Sequence, residues 1–392
     1  MVTPRPPWPA RDGGQICMGQ HIAHLAAHHE CRLLCLAPAG RPGPEDLAAL
    51  APPGLLSVET VAHRPAAPAR AWLASRLSRW PATLWRYRSA ALVRRAAECV
   101  RAWRPDVAVL ENLHLAYLCE AVPGVPWVIV QQNVETQFLE SVARTCRPPR
   151  RWLYAAEARR MRACEPALLK TARALVALQE QEADWMRARV PGVPVRVVPI
   201  GVPDAPPTAP PAGGRRGFLL VGSLEWLPNR DAAAWLLRAV WPRVRERAPH
   251  AELTVVGRGA VSGAVAGEAA GVTWLGEVSE VGPHLARARA LLVPLRAGAG
   301  LRVKILEALG AGTPVVTTPE GLGALPARSG EHLLVAAGEA EFAAAVLALD
   351  ADPGLAARLG ESGRAWVREH YSLRAVGEGL EAAMAVATGG RA

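Results

Sequence analysis

The sequence predicts an α/β protein built from two Rossmann-like domains that face each other across a cleft. Through both halves of the 392 residues, short apolar runs alternate with longer segments of helical character. The runs are continuously apolar, which is typical of parallel strands buried on both faces of a sheet. A segment dense in proline and glycine, 203–216, separates the halves, and neither a helix nor a central strand continues through such a segment. We therefore expect one domain on each side of this linker.

The predicted strands follow the same rhythm in each half. They are RLLCLA, DVAVLE, WVIVQQ, ALVALQ and VRVVPI in the first half, and GFLLVGS, ELTVVGRG, VTWLGE, ALLVPLR and TPVVTT in the second. Ligands of such sheets bind beyond the carboxyl ends of the strands, so functional residues should lie in the loops after these runs. Only residues 1–3 precede the turn at Gly13 and Gly14 as material for a first strand. Either that strand is very short or the true start lies upstream.

The charge balance is basic but is weak evidence for a nucleic-acid partner. Lys and Arg total 45 against 35 acidic residues, a net charge of +10, and the only lysines are Lys170 and Lys304. With 35 glycines and 35 prolines, this skew indicates a GC-rich bacterial coding sequence, so we expect no specific nucleic-acid binding. No run approaches the roughly 20 apolar residues of a membrane-spanning helix, and the start lacks the apolar segment of a signal peptide. A cytoplasmic protein is expected.

The cysteine and histidine patterns favour structural roles over metal binding. The seven cysteines form no C-x-x-C pair and are odd in number, so small buried thiols are expected. His21, His24 and His28 share one face of the first helix. Three histidines on one helix rarely converge on one ion, and no carboxylate lies beside them in the sequence. We expect a polar or half-buried helix face and predict no metal site.

The segment 71–106 interleaves tryptophan with arginine and leaves three interpretations open. A basic amphipathic surface of this kind docks on anionic membranes. Stacking combined with charge also suits single-stranded nucleic acid. The third interpretation, which we favour, is a pair of helices covering the first domain, with arginine stems lying over apolar surface.

The most motif-like stretch of the sequence spans 290–323. A strand ends near Pro294, and a loop over 296–300 leads into a helix expected over about 301–309. The glycines of this loop let the backbone approach a ligand closely, and the helix amino terminus offers free N–H groups and a positive dipole end. The stretch therefore predicts an anion site.

Three charged residues follow that loop. Arg302 and Lys304 are unfavourable for the helix dipole unless an anion such as a diphosphate lies among them. Glu307, one turn further on, can accept hydrogen bonds from vicinal hydroxyls, as acidic residues do for ribose. The alternative is an ordinary amphipathic helix whose charged residues are solvated.

At this point the residues resemble a known family. GLRVKILEALGAGTPVVTTPEGLG is similar to the nucleotide-sugar-binding segment of family 4 (group 1) glycosyltransferases of the GT-B fold, and to their subset with a G-x-G-x-R-x-K-x-x-E donor loop. LLVGSLEWLPNRDAAAWLLRAV and GVTWLGEVSEVGPHLARARALLVPLRAG resemble the rest of that family's carboxyl domain, and VVPIGVP its interdomain boundary. PRPPWPARDGGQI and VIVQQNVETQFLE resemble its acceptor loop and Asn-Val-Glu motif. The resemblance covers essentially the whole chain.

The resemblance implies a domain organisation and a role for each matching residue. It implies an acceptor-side domain of residues 1–202, the linker 203–216, a nucleotide-sugar-binding domain of 217–373, and a terminal helix of 374–392 that packs back toward the amino domain. Arg302 and Lys304 would neutralise the diphosphate, and Glu307 would bind the ribose hydroxyls. The other donor-binding positions would be Gly222, Ser223, Asn229, Gly276, Gly298, Ala299, Gly300 and Leu301. The acceptor-side positions would be Gly13, Gly14, Gln132, Asn133 and Glu135.

Three positions depart from the family's pattern. Ala299 stands where many members have a glutamate, and Ser223 stands where an arginine often follows the first carboxyl-domain strand, a charge that Arg302 or Arg230 could supply. Gln132 stands where a histidine usually precedes Asn-Val-Glu, and a glutamine can bind a sugar hydroxyl but carries no proton. These departures support an alternative, a nucleotide-sugar-binding GT-B protein without transfer activity. A sugar epimerase ranks lower. It needs carboxylates and a histidine converging on the sugar, and the sequence offers no convincing set of this kind.

The resemblance implies a retaining hexosyltransferase of polysaccharide or natural-product biosynthesis. Its co-substrate would be a nucleotide sugar, with UDP slightly favoured over GDP, and its acceptor a saccharide, a lipid-linked sugar or a small molecule. Neither a metal nor a cofactor is expected, because fixed cations and N–H groups can stabilise the leaving diphosphate, at about 3 kcal/mol for one such donor. Peripheral contact with the inner face of an anionic membrane is a further expectation.

Overall fold

Two parallel β-sheets organise the chain, one in each of two units. The computed structural model describes residues 1–10, 12–40, 43–146, 148–202, 214–259, 270–297 and 302–390. The first unit consists of Met1–Gly201 and Arg374–Ala392, and the second of Val202–Leu373. Most of the segment expected as a linker, 203–213, lies outside the described residues.

The first sheet has seven strands in the order β3-β2-β1-β4-β5-β6-β7. The strands are β1 (Val2–Thr3), β2 (Cys31–Ala37), β3 (Leu55–Ala62), β4 (Ala108–Glu111), β5 (Trp127–Gln131), β6 (Ala174–Ala177) and β7 (Val195–Val197). Every neighbouring pair is parallel. The first strand is very short, yet it pairs on both sides, through Val2 with Leu34 of β2 and with Leu110 of β4.

Within the described residues of this unit, nine α-helices precede its last strand. They are α1 (Gly13–His28), α2 (Pro44–Ala48), α3 (Pro68–Ser75), α4 (Ala82–Trp85), α5 (Ala90–Trp103), α6 (Tyr117–Ala121), α7 (Glu135–Thr145), α8 (Arg150–Leu169) and α9 (Glu180–Arg189). The helix expected after the Gly13-Gly14 turn is therefore present. It begins where expected because the Asp12 side chain accepts a hydrogen bond from the Gln15 N–H at 3.0 Å, which caps its first turn.

The second sheet has six strands in the order β10-β9-β8-β11-β12-β13. They are β8 (Phe218–Val221), β9 (Leu253–Val256), β10 (Val272–Gly276), β11 (Ala290–Val293), β12 (Val315–Thr317) and β13 (Leu334–Val335), again parallel throughout. Counted from the first strand of the unit, this is the order 3-2-1-4-5-6 of Rossmann domains, and the first six strands of the other sheet repeat it. The order reverses between β8 and β11, the place where such sheets bind ligands.

The helices described for the rest of the chain are α10 (Leu227–Trp235), α11 (Trp241–Arg247), α12 (Gly282–Arg287), α13 (Val303–Gly310), α14 (Pro319–Leu322), α15 (Glu339–Ala351), α16 (Pro353–His370) and α17 (Leu373–Ala387). The helix expected over about 301–309 is α13, displaced by one or two residues. Within the described residues, no helix is both long and apolar enough to cross a bilayer.

The central strands β8 and β11 of the second sheet are buried on both faces. Phe218, Leu220 and Leu292 belong to one apolar cluster, while Leu219 and Leu291, which alternate with them, belong to another. Because neighbouring residues of a strand point to opposite faces, a continuously apolar run is required here. The predicted α/β class with two Rossmann-like domains is confirmed.

Side-chain packing shows how the tryptophan–arginine segment 71–106 and the cysteines are arranged. In the segment 71–106, arginine guanidinium groups lie over tryptophan rings, Arg76 at 4.2 Å from the Trp72 ring centre and Arg79 at 4.7 Å from that of Trp80. This agrees with the favoured interpretation, helices covering the domain. All seven cysteines are free thiols; Cys17, Cys31 and Cys35 are buried as expected, but Cys99, Cys119, Cys146 and Cys164 are only half-buried.

Candidate functional site

Helix α13 carries two charged residues at the carboxyl end of the second sheet. Its sequence VKILEALG buries Ile305, Leu306 and Leu309. Lys304 and Glu307, three residues apart, lie on the remaining half-buried face. The apolar stripe therefore fixes the orientation of both charged side chains.

The Lys304 ammonium lies where the strand order of the second sheet reverses. Its Nζ donates to the carbonyl oxygen of Val221, the last residue of β8, at 2.7 Å, and to Asn229 Oδ1 at 3.1 Å. Among the described residues these bonds use two of the three ammonium protons. Burial, together with the nearby Arg302, lowers the pKa of Lys304 to about 8. Lys304, Val221 and Gly222 also line a small cavity.

Gly222 makes room for this ammonium. Its φ is +154°, and a Cβ at this position would lie 2.6 Å from Asn229 Nδ2 and 2.9 Å from Lys304 Nζ, so a larger residue would displace both. Asn229 Nδ2 also donates to the carbonyl oxygen of Ser223 at 2.9 Å. The predicted donor positions Gly222, Ser223 and Asn229 thus come together around Lys304.

Arg302 is more buried than a solvated cation of a helix terminus. It is 6% exposed, and its Nη2 donates to the carbonyl oxygen of Glu320 in α14 at 2.6 Å. A Cβ on Gly323 would lie 3.2 Å from its Nε. Burial lowers the pKa of Arg302. The guanidinium therefore holds the α14 turn while adding positive charge beside Lys304.

Glu307 is half-buried, and its carboxylate accepts no hydrogen bond from any of the described residues. Burial raises its pKa, and the Lys304 charge acts in the opposite direction. A buried acceptor without donors is costly, so this carboxylate is suited to hydroxyl groups of a ligand.

The carboxyl ends of β8, β9 and β10 meet through three glycines. A Cβ on Gly257, whose φ is +144°, would lie only 2.1 Å from the carbonyl oxygen of Gly222. The Gly257 N–H donates to the carbonyl oxygen of Gly276 at 2.8 Å. Predicted position Gly276 is exposed at the outer end of this row. Gly257 was not predicted, although its place directly after the strand ELTVV could have indicated it.

Gly298, Ala299, Gly300 and Leu301 lie outside the described residues. Just before them, Arg296 forms a bidentate ion pair with Asp231 of α10, at 2.6 and 3.1 Å. This pair fixes where the loop begins.

In the first unit, three predicted acceptor-side residues lie together. Gln132 Nε2 donates to the carbonyl oxygen of Gly14 at 3.3 Å, and a Cβ on Gly14 would lie 2.6 Å from Gln132 Oε1. Gly13 begins α1 beside it. Arg5, held by Asp12 at 2.6 and 2.7 Å, also faces Gly14. The predicted residue Asn133 is exposed.

Glu135, at the first turn of α7, is a buried acid close to a second acidic residue, Glu165. It is 6% exposed, and burial, with the Glu165 carboxylate nearby, raises the pKa of Glu135 to about 8. His114 Nε2 lies 3.8 Å from Glu135 Oε1, and burial lowers the pKa of His114 to about 4. Both are therefore neutral at a pH of about 7, the carboxyl as a proton donor and the imidazole as an acceptor. His114 was not predicted, although it follows the strand DVAVLE.

The structure corrects one premise about the histidines of α1, that no carboxylate lies beside them. His21 Nδ1 lies 2.7 Å from Glu111 Oε1, both fully buried. Burial opposes a charged imidazole there, yet Cys17 and Glu111 raise the pKa of His21 well above its usual value. His24 meets a second carboxylate, Glu381 of α17. The sequence could not show either pairing, because both carboxylates are distant along the chain.

Comparison with known families now identifies the chain. Residues 12–201 match the family described as a glycosyl transferase 4-like domain, and residues 215–352 match the family described as glycosyl transferases group 1. Together the two matches span most of the chain. The protein therefore belongs to the group 1 glycosyltransferases. No curated protein matches its sequence.

Solved structures show the same fold over the full length. A sucrose-phosphate synthase from Thermosynechococcus elongatus is 15% identical with a TM-score of 0.67, covering 97% of this chain and 96% of that one. HepE of Anabaena, in complex with UDP and glucose, is 12% identical with a TM-score of 0.63, covering 97% of both chains. WaaG, a glycosyltransferase involved in lipopolysaccharide biosynthesis, is 17% identical with a TM-score of 0.63 over 100% of both. The GT-B class is thereby confirmed.

Proposed function

We propose that this glycosyltransferase moves a hexosyl residue, with retention of configuration, from a nucleoside diphosphate sugar to a saccharide, lipid-linked or small-molecule acceptor. The observation that carries the proposal is the Lys304 ammonium at the reversal of strand order in the second sheet. Two of its protons are bound to Val221 and Asn229, and Lys304 also lines a small cavity. This is the arrangement of a preorganised cation awaiting an anion.

The leaving diphosphate is the proposed anion. Bond cleavage at the anomeric carbon leaves negative charge on the diphosphate, and Lys304 and the amino terminus of α13 stabilise that charge. Arg302 adds a second charge from its buried position. With two protein cations at this helix terminus, no metal ion is assigned to the diphosphate, and metal independence remains part of the proposal.

Glu307 is proposed to bind the ribose of the donor. It lies on the same face of α13 as Lys304, one turn further along, and no described residue donates to its carboxylate. Two vicinal hydroxyls would satisfy both oxygens, at roughly 1.5–3 kcal/mol for each charged hydrogen bond. For the nucleotide of the donor we favour UDP, since the similar HepE structures contain UDP or UDP-glucose.

The acceptor is assigned to the first unit. Gln132 and Gly14 offer amide and carbonyl groups suited to sugar hydroxyls. Glu135 and His114, both neutral, add a donor and an acceptor without a net charge. Such a set recognises a neutral hydroxyl-rich ligand rather than an ion.

For a lipid-linked acceptor, we propose that the surface of α7 and α8 contacts an anionic membrane. A groove between these helices is lined by Arg144, Arg151, Arg159 and Arg162. Beside it Trp152 is 67% exposed and Phe138 is 49% exposed. Cations with interfacial aromatics suit an anionic lipid surface. Co-sedimentation with anionic vesicles, absent with neutral vesicles and abolished in the Arg151→Glu/Arg159→Glu variant, is the expected result.

A thermal-shift panel of UDP, GDP, ADP and their sugar conjugates, with and without EDTA, tests the donor site. A ligand of the folded state stabilises it by RT ln(1 + [L]/Kd), about 2.7 kcal/mol at a hundredfold excess over Kd. We expect an EDTA-insensitive shift with one nucleotide, largest for UDP. Lys304→Met should weaken that nucleotide roughly tenfold to a hundredfold, the loss of one charged hydrogen bond.

The matched control is Lys170→Met, because Lys170 is the only other lysine and is exposed at the end of α8. It should leave the shift unchanged. Release or transfer of the sugar is measured on the same samples. Tight binding without any sugar release would favour the non-transferring alternative. No shift with any nucleotide, or equal losses in both lysine variants, would overturn the assignment of the site.

A further inference from the structure

Two helices from opposite ends of the sequence bring histidines and a carboxylate together in the first unit. His24 Nε2 of α1 lies 2.8 Å from Glu381 Oε1 of α17. His29, which follows α1, places its Nε2 3.5 Å from the same oxygen. One ligand atom each of His24, His28 and Glu381 lie within 4.8 Å of one another. None of these groups belongs to the proposed donor site.

The packing of α17 against α1 holds the side chains of this cluster in place. A Cβ on Gly377 would lie 2.0 Å from Nδ1 of His24, so the imidazole occupies space that only a glycine leaves. Glu381, one turn after Gly377, then receives His24 on the same helix face. The ring and its carboxylate partner are thus held by a specific helix contact.

The orientation of His28 is that of a metal ligand. Its Nδ1 donates to the carbonyl oxygen of His24 at 2.9 Å, which leaves Nε2 as the unprotonated nitrogen. A backbone carbonyl accepting from the second ring nitrogen is the usual partner that orients metal-binding histidines. The His28 ring stacks on His24 at 4.3 Å between ring centres, so both rings face the same region.

We propose that His24, His28 and Glu381 form a structural zinc site that ties α1 to α17. Tetrahedral zinc with Zn–N and Zn–O bonds of about 2.0–2.2 Å needs ligand atoms about 3.4 Å apart. His24 Nε2 and Glu381 Oε1 are 2.8 Å apart, and no two of the three ligand atoms are more than 4.8 Å apart, so small side-chain rotations complete the site. Imidazole nitrogen with one carboxylate is a ligand set that zinc accepts.

Zinc binding at this site does not depend on the proposed transfer reaction. The ion would lie at the side chains of α1 and α17, at the outside of a domain, where Glu381 is 38% and His29 42% exposed. It would bind the folded chain and thereby stabilise it, without touching a substrate.

Calorimetric titration of the EDTA-treated full-length chain with Zn²⁺ tests the site. We expect about one saturable equivalent of zinc and a raised melting temperature. Glu381→Gln and His28→Ala should each weaken zinc affinity at least tenfold, since even second-shell partners contribute about that much. His28 is exposed, so its variant tests the ligand without disturbing the fold.

The matched control is His250→Ala. His250 Nε2 lies 2.9 Å from Asp350 Oδ2, the same histidine–carboxylate contact without further histidines, and its loss should leave zinc affinity unchanged. The buried set Cys17, His21 and Glu111 is the competing site, tested by Cys17→Ala. Zinc binding lost in Cys17→Ala but kept in Glu381→Gln and His28→Ala would overturn the proposal. So would the absence of saturable binding in the wild-type chain.

Discussion

Lys304 differs chemically from the arginines that make up almost all of the protein's positive charge. An arginine stays protonated at every working pH, whereas burial can lower the pKa of a lysine into the working pH range. Burial and Arg302 lower the pKa of Lys304 to about 8, so its charge changes within about one pH unit of neutrality. Its charge is therefore sensitive both to pH and to a bound anion.

This sensitivity predicts a pH dependence of nucleotide binding. The anion favours the ammonium form of Lys304. UDP affinity should therefore change little while the pH is below the lysine pKa of about 8 and should fall at higher pH. Between about pH 7 and about pH 9 the protonated fraction of Lys304 drops roughly tenfold, and so should affinity. Lys304→Arg keeps its charge and should bind more weakly but with a flat profile. The measurement is calorimetric titration with UDP across this range.

Equal pH profiles for the wild type and Lys304→Arg would contradict this account, because then another group titrates. Lys170→Met, the matched control, should reproduce the wild-type profile.

The sequence predicts individual site residues only where a local pattern carries them. Lys304 and Glu307 were predicted because they lie in the first two turns of a helix that follows a glycine-rich loop. Glu381 could not be predicted, since its partner His24 is 357 residues away. Arg302 was predicted as a charge for a ligand, and its contact with the Glu320 carbonyl depends on tertiary packing that the sequence does not show.

At the scale of elements, one buried carboxylate joins α7 and α8. Glu165 of α8 is fully buried. Its Oε1 accepts from Gln131 Nε2 at 2.6 Å and from the Glu135 N–H at 2.8 Å. Its Oε2 accepts from the N–H of Thr136 at 2.9 Å and from its hydroxyl at 2.5 Å. A carboxylate of α8 thus caps the amino terminus of α7, where the helix dipole favours a negative charge.

Glu165→Gln is expected to destabilise this helix pair. A glutamine replaces one acceptor oxygen with an NH₂ group that faces two donors, leaving both without a partner in a buried place. The expected loss is about 3 kcal/mol of unfolding free energy, measured by urea denaturation. Glu140→Gln is the control, since Glu140 of α7 pairs with Arg162 of α8 at the surface. Its loss should be at most about 1 kcal/mol.

Comparable losses for Glu165→Gln and Glu140→Gln would mean that Glu165 contributes only ordinary surface electrostatics. A far-UV circular dichroism spectrum of each variant establishes that the comparison is between folded proteins.

The predicted strands formed because each is a continuously apolar run, and the strands that were missed lack that signal. All ten predicted runs contain a strand, but β3 and β13 were not predicted. In β3, Ser57 and Glu59 interrupt the apolar residues, since it is an edge strand and is mostly half-buried. β13 has two residues, too few for any periodicity.

At the scale of the whole molecule, the two sheets repeat one strand order but carry opposite polar chemistry. The described site of the second sheet gathers cations around Lys304. The first sheet's unit gathers acidic groups whose pKa is raised by burial, that of Glu135 to about 8 and that of Glu182 to about 7. A repeated scaffold thus places buried cations in one unit and buried acidic groups in the other.

These buried acids make the stability of the protein depend on pH in a defined direction. Glu135 has an ordinary pKa of 4.5 and a folded pKa of about 8, so the folded state keeps a proton that the unfolded state releases. Its contribution is complete below 4.5 and is lost as the pH rises through 8. The contribution of Glu182, whose pKa is raised to about 7, is likewise lost as the pH rises through that value. His114, whose pKa is lowered to about 4, contributes only above that value and is constant beyond about 6.5.

Unfolding free energy should therefore fall between about pH 6.5 and about pH 8, by close to 1.4 kcal/mol per pH unit for each fully protonated acid. Glu135→Gln removes one titrating group and keeps the shape of the side chain, so its curve should be flatter by about 1 kcal/mol per unit. Urea denaturation at several pH values measures both slopes, with exposed Glu369→Gln as the control that keeps the wild-type slope. A Glu135→Gln slope equal to that of the wild type would show that Glu135 is ionised in the folded state. The neutral acceptor site proposed for the first unit would then be wrong, because a fixed negative charge there would favour cationic ligands instead.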